Sequence, residues 1–115
     1  MSSSLRVETR QLPEITVIEL HGDVSADGEP EIKAAYDAAV ASSIPTVLIE
    51  MSGTAYINTS GISVLIRVAM EAKKAGNGLL VCGASPHYKK VLDLVRFSSF
   101  VSMFDTEADA LASLS

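Results

Sequence analysis

Two short apolar runs constrain the fold of this chain most. Residues 46–49 read Thr-Val-Leu-Ile and residues 79–82 read Leu-Leu-Val-Cys, without the apolar–polar alternation of a half-exposed strand. Such runs are typical of strands buried on both faces, and both are far short of the roughly 20 apolar residues that cross a bilayer. The sequence therefore predicts central strands of a parallel sheet and no membrane insertion.

Two further β-type segments precede these runs. Residues 5–12 and 15–21 flank Pro13-Glu14, and the second segment is rich in β-branched side chains. Two such segments around a short polar connection predict an antiparallel hairpin at the N-terminal side of the fold.

The segments between the predicted strands have helical spacing. A first helix is expected with Asp27 as its N-cap and an end near Ser42-Ser43. Ser52-Gly53-Thr54 is then expected to break the central strand. A second helix is expected from Ser60 to Gly76-Asn77-Gly78, where glycine favours a helix end.

The C-terminal third of the sequence predicts two more helices. Ser85 followed by proline is typical of an N-cap and first helical position. The core-facing residues of this third helix are expected to be Val91, Leu92 and Val95. Residues 101–104 predict a short last strand, and residues 106–109 resemble a capping box before a final helix.

Together these elements predict a small α/β domain. Strands alternate with helices after the hairpin, which favours right-handed crossovers and a mostly parallel central sheet with about four helices. With 115 residues the chain is expected to form a single domain over residues 1–115.

Charge and cysteine content exclude several classes of function. The formal net charge is −5, which disfavours direct binding to nucleic acid or anionic lipid. One cysteine cannot form an intrachain disulfide, and the first residues lack the pattern of a secretory signal. A cytoplasmic location is therefore expected.

Catalytic motifs are missing from the sequence. Gly76-Asn77-Gly78 precedes a strand, whereas a phosphate-binding glycine loop follows a strand and opens a helix. His21 and His87 have no cysteine or second histidine at ligand spacing, so no metal site is predicted. Cys82 lies in an apolar run and is interpreted as a packed core thiol. The sequence predicts neither an enzyme nor a bound cofactor.

The most informative segment joins the central strand to the second helix. Residues 56–62 read Tyr-Ile-Asn-Thr-Ser-Gly-Ile, which places three small polar side chains at a helix N-terminus. Ordinary capping is one interpretation, because Asn, Thr and Ser are all good cap residues. Reversible phosphorylation of a hydroxyl is the other, since first-turn amides and the helix dipole stabilise an added phosphate.

Several segments in order resemble the STAS domain of bacterial anti-sigma factor antagonists, over nearly the whole chain. The matching segments are residues 20–25, 49–53, 56–62, 76–86 and 91–94. No single motif is specific, but their order and spacing together are. The family pattern has a Gly-acidic-x-Asp turn after the second strand and an Asp-Ser-Ser-Gly or Asp-Ser-Thr-Gly motif that opens a helix.

The resemblance implies a partner switch controlled by phosphorylation. In the family, the unphosphorylated antagonist sequesters an anti-sigma factor that is also a serine-protein kinase, and a PP2C-type phosphatase reverses phosphorylation. By position, Ser60 is the expected phosphoacceptor, with Thr59 as the fallback. The residues expected at the partner surface are Gly22, Asp23, Val24, Ser25, Asn58, Thr59, Ser60, Gly61 and Ile62.

Two positions depart from the family pattern. Asn58 replaces the aspartate that usually opens the phosphorylation motif, and Ser25 replaces the aspartate that closes the turn. Asp23 and Asp27 are candidates to compensate for the lost carboxylates. An alternative is a STAS accessory or scaffold protein without phosphorylation, in a stress-sensing complex or bound to a transporter. A third hypothesis is a small-molecule binder or an enzyme from outside the family.

Overall fold

Five strands and four helices alternate in the computed structural model, which describes residues 4–42 and 46–114. The strands are β1 (Arg6–Gln11), β2 (Thr16–Val24), β3 (Val47–Ile57), β4 (Leu79–Cys82) and β5 (Ser102–Phe104). The helices are α1 (Glu29–Ala41), α2 (Thr59–Ala75), α3 (Pro86–Leu94) and α4 (Glu107–Ala112). Two 3-10 turns, Ala26–Gly28 and Phe97–Ser99, precede α1 and β5.

The strands form one sheet in the order β1-β2-β3-β4-β5. The β1–β2 pair is antiparallel, and the other three pairs are parallel. The predicted α/β fold, with an N-terminal hairpin, a mostly parallel sheet and four helices, is confirmed.

Helices cover both faces of the sheet, which explains the continuous apolar runs. On one face, Ile49 and Val81 belong to the larger core cluster with Leu65 of α2. On the other face, Leu48 and Cys82 pack in a smaller cluster with Ala110 of α4. Alternate residues of β3 and β4 are therefore buried on opposite sides.

β3 is longer than the sequence predicts. The expectation that Ser52-Gly53-Thr54 breaks the strand is wrong, since β3 continues to Ile57. Pairing with β2 continues through two register shifts, one of them where residues 50–53 lie opposite residues 19–21. A bulge accommodates an extra residue without ending the strand. β2 likewise extends to Val24, so the two strands stay paired as far as the loops that follow them.

The helix starts differ from the sequence prediction in detail. Asp27 is not the N-cap of α1, because the chain first makes the 3-10 turn and Gly28 takes the cap position. α1 ends at Ala41, and Ser43 lies outside the described residues. α2 starts at Thr59, one residue before the predicted start. Its predicted end is confirmed: Gly76 is the C-cap with a left-handed φ of 76°.

The third helix confirms one cap and corrects one core residue. Ser85 caps α3 by accepting a hydrogen bond from the Tyr88 amide at 3.3 Å. Leu92 is fully buried, but Val95 is 39% exposed, so its expected core position is wrong. α3 ends at Leu94 and the chain turns through a left-handed residue, after which Phe97 fills the core instead.

Candidate functional site

The segments after β2 and β3 meet at one edge of the sheet. Val24 and Ile57 pair at the ends of these parallel strands, and the Asn58 amide donates to the Val24 carbonyl oxygen at 3.2 Å. The turn that begins α1 and the N-terminus of α2 are consequently held side by side. The two loops expected at a partner surface therefore form one continuous site.

Asn58 organises the first turn of α2. Its Oδ1 accepts a hydrogen bond from the Gly61 amide at 2.7 Å, which is the N-cap interaction of a helix. The same oxygen accepts a hydrogen bond from the Ser60 hydroxyl at 2.8 Å. A neutral amide oxygen therefore caps α2 at the position where the resemblance leads us to expect an aspartate.

Ser60 connects the two loops. Its Oγ accepts a hydrogen bond from the Ala26 amide at 3.2 Å while its proton is donated to Asn58. Ser60 is nevertheless exposed, as is Thr59. The hydroxyl of Ser60 is therefore oriented by two named partners and is accessible from solvent at the N-terminus of a 17-residue helix.

Gly61 permits the close approach of α2 to β2. A Cβ atom at this position would overlap the carbonyl oxygen of Val24 and lie 3.1 Å from Cγ2 of Ile57. The glycine that follows the expected phosphoacceptor is thus required by a close backbone contact. Gly22, at φ 103°, is the second glycine that the site requires, because its backbone conformation disfavours any L side chain.

A surface cavity of about 490 Å³ lies beside Ser60. Among the described residues that line it, three are acidic, Asp23, Asp27 and Glu31, and none is lysine or arginine. The cavity therefore favours a cationic group and disfavours an anion. Both carboxylates proposed to compensate for the family's missing aspartates lie at the site.

Among the lining residues that sequence reasoning missed, Glu31 adds a charge to this cavity and Tyr56 adds an exposed aromatic ring. Glu31 lies in the first turn of α1, and Tyr56 lies near the end of β3 with 54% of its surface exposed. A usable signal for Glu31 was its position in the first turn of the predicted first helix, close in sequence to Asp27. Two of the expected surface residues are buried instead: Val24 is in the core, and Gly61 is covered by β2.

Cys82 and His87, the other two candidate reactive side chains considered from the sequence, lie outside this site. Cys82 is buried, and burial together with the neighbouring Glu50 carboxylate raises its thiol pKa to about 12. That shift opposes thiolate formation, in agreement with the interpretation as a core thiol. His87 is exposed on α3 and makes an edge contact with Tyr88. No helix in residues 4–42 or 46–114 is long and apolar enough to span a bilayer.

Comparison with known proteins agrees with this fold. The family model of the STAS domain matches residues 6–110. A curated relative, the proposed anti-sigma factor antagonist BtrV of Bordetella bronchiseptica, is 26% identical over 85 residues, which cover 74% of this chain and 71% of the relative. The chain therefore belongs to the STAS domain family.

Solved structures give the same result for the fold. An anti-sigma factor antagonist from Mycobacterium paratuberculosis superposes with a TM-score of 0.82 at 21% identity, covering 98% of this chain and 97% of that one. The Bacillus cell fate determinant SpoIIAA in its phosphorylated form superposes with a TM-score of 0.71 at 19% identity, covering 97% and 100%. The fold of this chain is that of anti-sigma factor antagonists.

Proposed function

We propose that this protein is an anti-sigma factor antagonist that acts as a partner switch in the cytoplasm. Its unphosphorylated form binds an anti-sigma factor that is also a serine-protein kinase, and phosphorylation of Ser60 ends that complex. The observation that carries the proposal is the position of the Ser60 hydroxyl, exposed at the N-terminus of α2 beside a cavity lined by three carboxylates.

The unphosphorylated surface suits a partner that presents a cation. Asp23, Asp27 and Glu31 line the cavity, and the exposed ring of Tyr56 lies at the same opening. Charge complementarity directs encounter between partners, and exposed tyrosines often contribute much of the binding energy at an interface. The negative charge of this cavity would therefore attract a lysine or arginine side chain of the anti-sigma factor.

Phosphorylation changes this surface in a defined way. The Ser60 Oγ–phosphorus bond forms as the bond from the γ-phosphorus of ATP to its bridging oxygen breaks; ADP leaves and the hydroxyl proton is released. Ser60 then cannot donate to Asn58, and about −1.5 to −2 charges are added beside three carboxylates. The helix N-terminus stabilises the phosphate, so the fold is retained. Hydrolysis by a PP2C-type phosphatase releases inorganic phosphate and restores the hydroxyl.

The proposal is tested by incubating the protein with ATP and its cognate kinase and locating the modification by mass spectrometry. Phosphate on Ser60 in the wild-type protein, and its absence in Ser60→Ala but not in Thr59→Ala, is the expected result. Modification confined to Thr59 would move the switch to the neighbouring hydroxyl. If both hydroxyls stay unmodified and Ser60→Asp binds all partners normally, the protein is an accessory STAS module instead.

A further inference from the structure

Three metal-ligating side chains converge on the outer strands of the sheet, away from the Ser60 cavity. Glu8 of β1 lies directly opposite Glu19 of β2 in the antiparallel register, and His21 follows two residues later on the same side of β2. One ligand atom from each of these three side chains lies within 4.8 Å of the other two. None of the three lines the cavity beside Ser60.

Arginines hold the outer oxygens of both carboxylates. Arg6 Nε is 2.9 Å from Glu8 Oε1, and Arg10 Nε donates to Glu19 Oε2 at 2.7 Å. The other oxygens approach the histidine, with His21 Nε2 at 3.2 Å from Glu19 Oε1 and 3.9 Å from Glu8 Oε2. This arrangement resembles a ligand set whose orientation is fixed by outer hydrogen bonds.

A glycine on the neighbouring strand β3 makes room for the imidazole of His21. Gly53 of β3 pairs with His21, and a Cβ atom there would lie only 2.5 Å from His21 Nδ1. The ring therefore occupies the space that a side chain at position 53 would fill. Because Nδ1 lies against β3, Nε2 is the nitrogen that faces the two glutamates.

Glu8 and Glu19 place two like charges side by side, with Arg6 and Arg10 paired to their outer oxygens. Two like charges directly opposite each other on antiparallel strands destabilise the pair. A cation between Glu8 and Glu19 would offset their repulsion.

We propose that Glu8, Glu19 and His21 bind a divalent transition-metal ion of the zinc type. The ligands are Glu8 Oε2, Glu19 Oε1 and His21 Nε2, and water completes the coordination. One nitrogen and two carboxylate oxygens are donors that zinc accepts, usually in a four-coordinate site with bonds of about 2.0–2.2 Å. Mg²⁺ prefers oxygen ligands in an octahedron and is not expected to bind.

The side chains can close on an ion with small movements. The Glu8 side chain and its partner Arg6 are both half-exposed or more, so the pair can shift by the short distance that brings Glu8 Oε2 closer to His21. His21 must present the unprotonated Nε2, with its proton on Nδ1. The spacing of cysteine and histidine in the sequence gives no signal for this set, because two of the proposed ligands are glutamates and one comes from the opposite strand.

Isothermal titration of the chelator-treated protein with zinc chloride tests the proposal. One zinc ion per chain with a micromolar dissociation constant is the expected result, and magnesium chloride should give no binding. His21→Gln and Glu19→Gln should each weaken zinc binding at least tenfold. His87→Gln is the matched control, because His87 is an exposed histidine outside the cluster, and it should bind zinc as the wild-type protein does.

Thermal unfolding of each variant without zinc shows whether the fold is retained. A rise in the melting temperature on adding zinc is expected for the wild-type protein and for His87→Gln, but not for His21→Gln. Zinc binding that survives His21→Gln, is lost in His87→Gln, or is absent at millimolar zinc would overturn the proposal. These experiments do not depend on phosphorylation of Ser60, so a negative result for zinc binding would not contradict the proposed switch.

Discussion

The Oδ1 atom of Asn58 accepts hydrogen bonds from the Ser60 hydroxyl at 2.8 Å and from the Gly61 amide at 2.7 Å. A single neutral oxygen therefore caps α2 and orients the proposed phosphoacceptor. Where the family pattern has an aspartate, this chain has an uncharged side chain that caps the helix. The acidic character of the site comes instead from the cavity beside it.

Removal of this cap should destabilise the protein without altering its fold. Asn58→Ala is expected to lower the free energy of unfolding by about 1 kcal/mol, because the Gly61 amide loses its side-chain acceptor. Urea denaturation followed by circular dichroism measures the change. Thr59→Ala is the control, since Thr59 is exposed in the same turn, and it should stay within about 0.5 kcal/mol of the wild type. Equal effects of the two substitutions would contradict a special role for Asn58.

Enlargement of Gly61 should disturb the junction between β2 and α2. Gly61→Val is expected to lower the free energy of unfolding by at least about 2 kcal/mol, because the new side chain overlaps backbone atoms of Val24 that cannot move independently. Urea denaturation again provides the measurement. Gly78→Ala is the comparison, since a Cβ atom there meets Thr46 at 3.4 Å, close to ordinary contact. An unchanged unfolding midpoint in Gly61→Val would argue against the close approach.

Tyr56 should contribute to partner binding and little to stability. Its side chain is 54% exposed beside the acidic cavity, so Tyr56→Ala should weaken binding to the anti-sigma factor at least tenfold and shift the free energy of unfolding by less than about 1 kcal/mol. Surface plasmon resonance with the cognate anti-sigma factor measures the loss. Met70→Ala is a suitable control, because Met70 is 51% exposed and lies farther along α2. A partner that binds both variants equally would not use this cavity.

The Cys82 thiol should resist alkylation in the folded protein. Burial and the charge of Glu50 raise its pKa to about 12, so the reactive thiolate is scarce at pH 8. Iodoacetamide should modify Cys82 slowly in buffer and rapidly in denaturing urea, as measured by mass spectrometry. Fast modification in the folded state would contradict its core position.

The raised pKa of Cys82 predicts that the stability of the folded protein falls as the pH rises above about 9. The folded thiol holds its proton above pH 9, where the unfolded thiol, with a pKa near 9.0, releases it. The contribution of Cys82 to stability is therefore present below about pH 9 and is lost as the pH rises toward about 12. Cys82→Ala should flatten the decline in unfolding midpoint over this interval.

The sequence predicted those features that leave a local signature. Burial of β4 on both faces produces its continuous apolar run, and the caps Ser85 and Gly76 act within a few residues of the helix ends they define. The continuation of β3 to Ile57 had no such signature, because its bulges exist only through pairing with β2. Strand ends that are set by pairing with a distant segment are therefore the least predictable from one sequence.

The same distinction applies to the site. The position of Ser60 at a helix N-terminus followed from the local pattern of residues 56–62. The hydrogen bond from the Ala26 amide, and the presence of Glu31 in the same cavity, depend on how the turn before α1 packs against α2. The cluster of Glu8, Glu19 and His21 depends likewise on the register of the hairpin.

The central claim is that charge at Ser60 ends the complex with the anti-sigma factor. The most direct measurement compares the dissociation constants of the wild-type protein, Ser60→Asn and Ser60→Asp for the cognate anti-sigma factor at fixed ionic strength. Asparagine has the size of aspartate without its charge, so Ser60→Asn should bind within about fivefold of wild type, whereas Ser60→Asp should bind at least 100-fold more weakly. Equal affinities for Ser60→Asn and Ser60→Asp would contradict the switch.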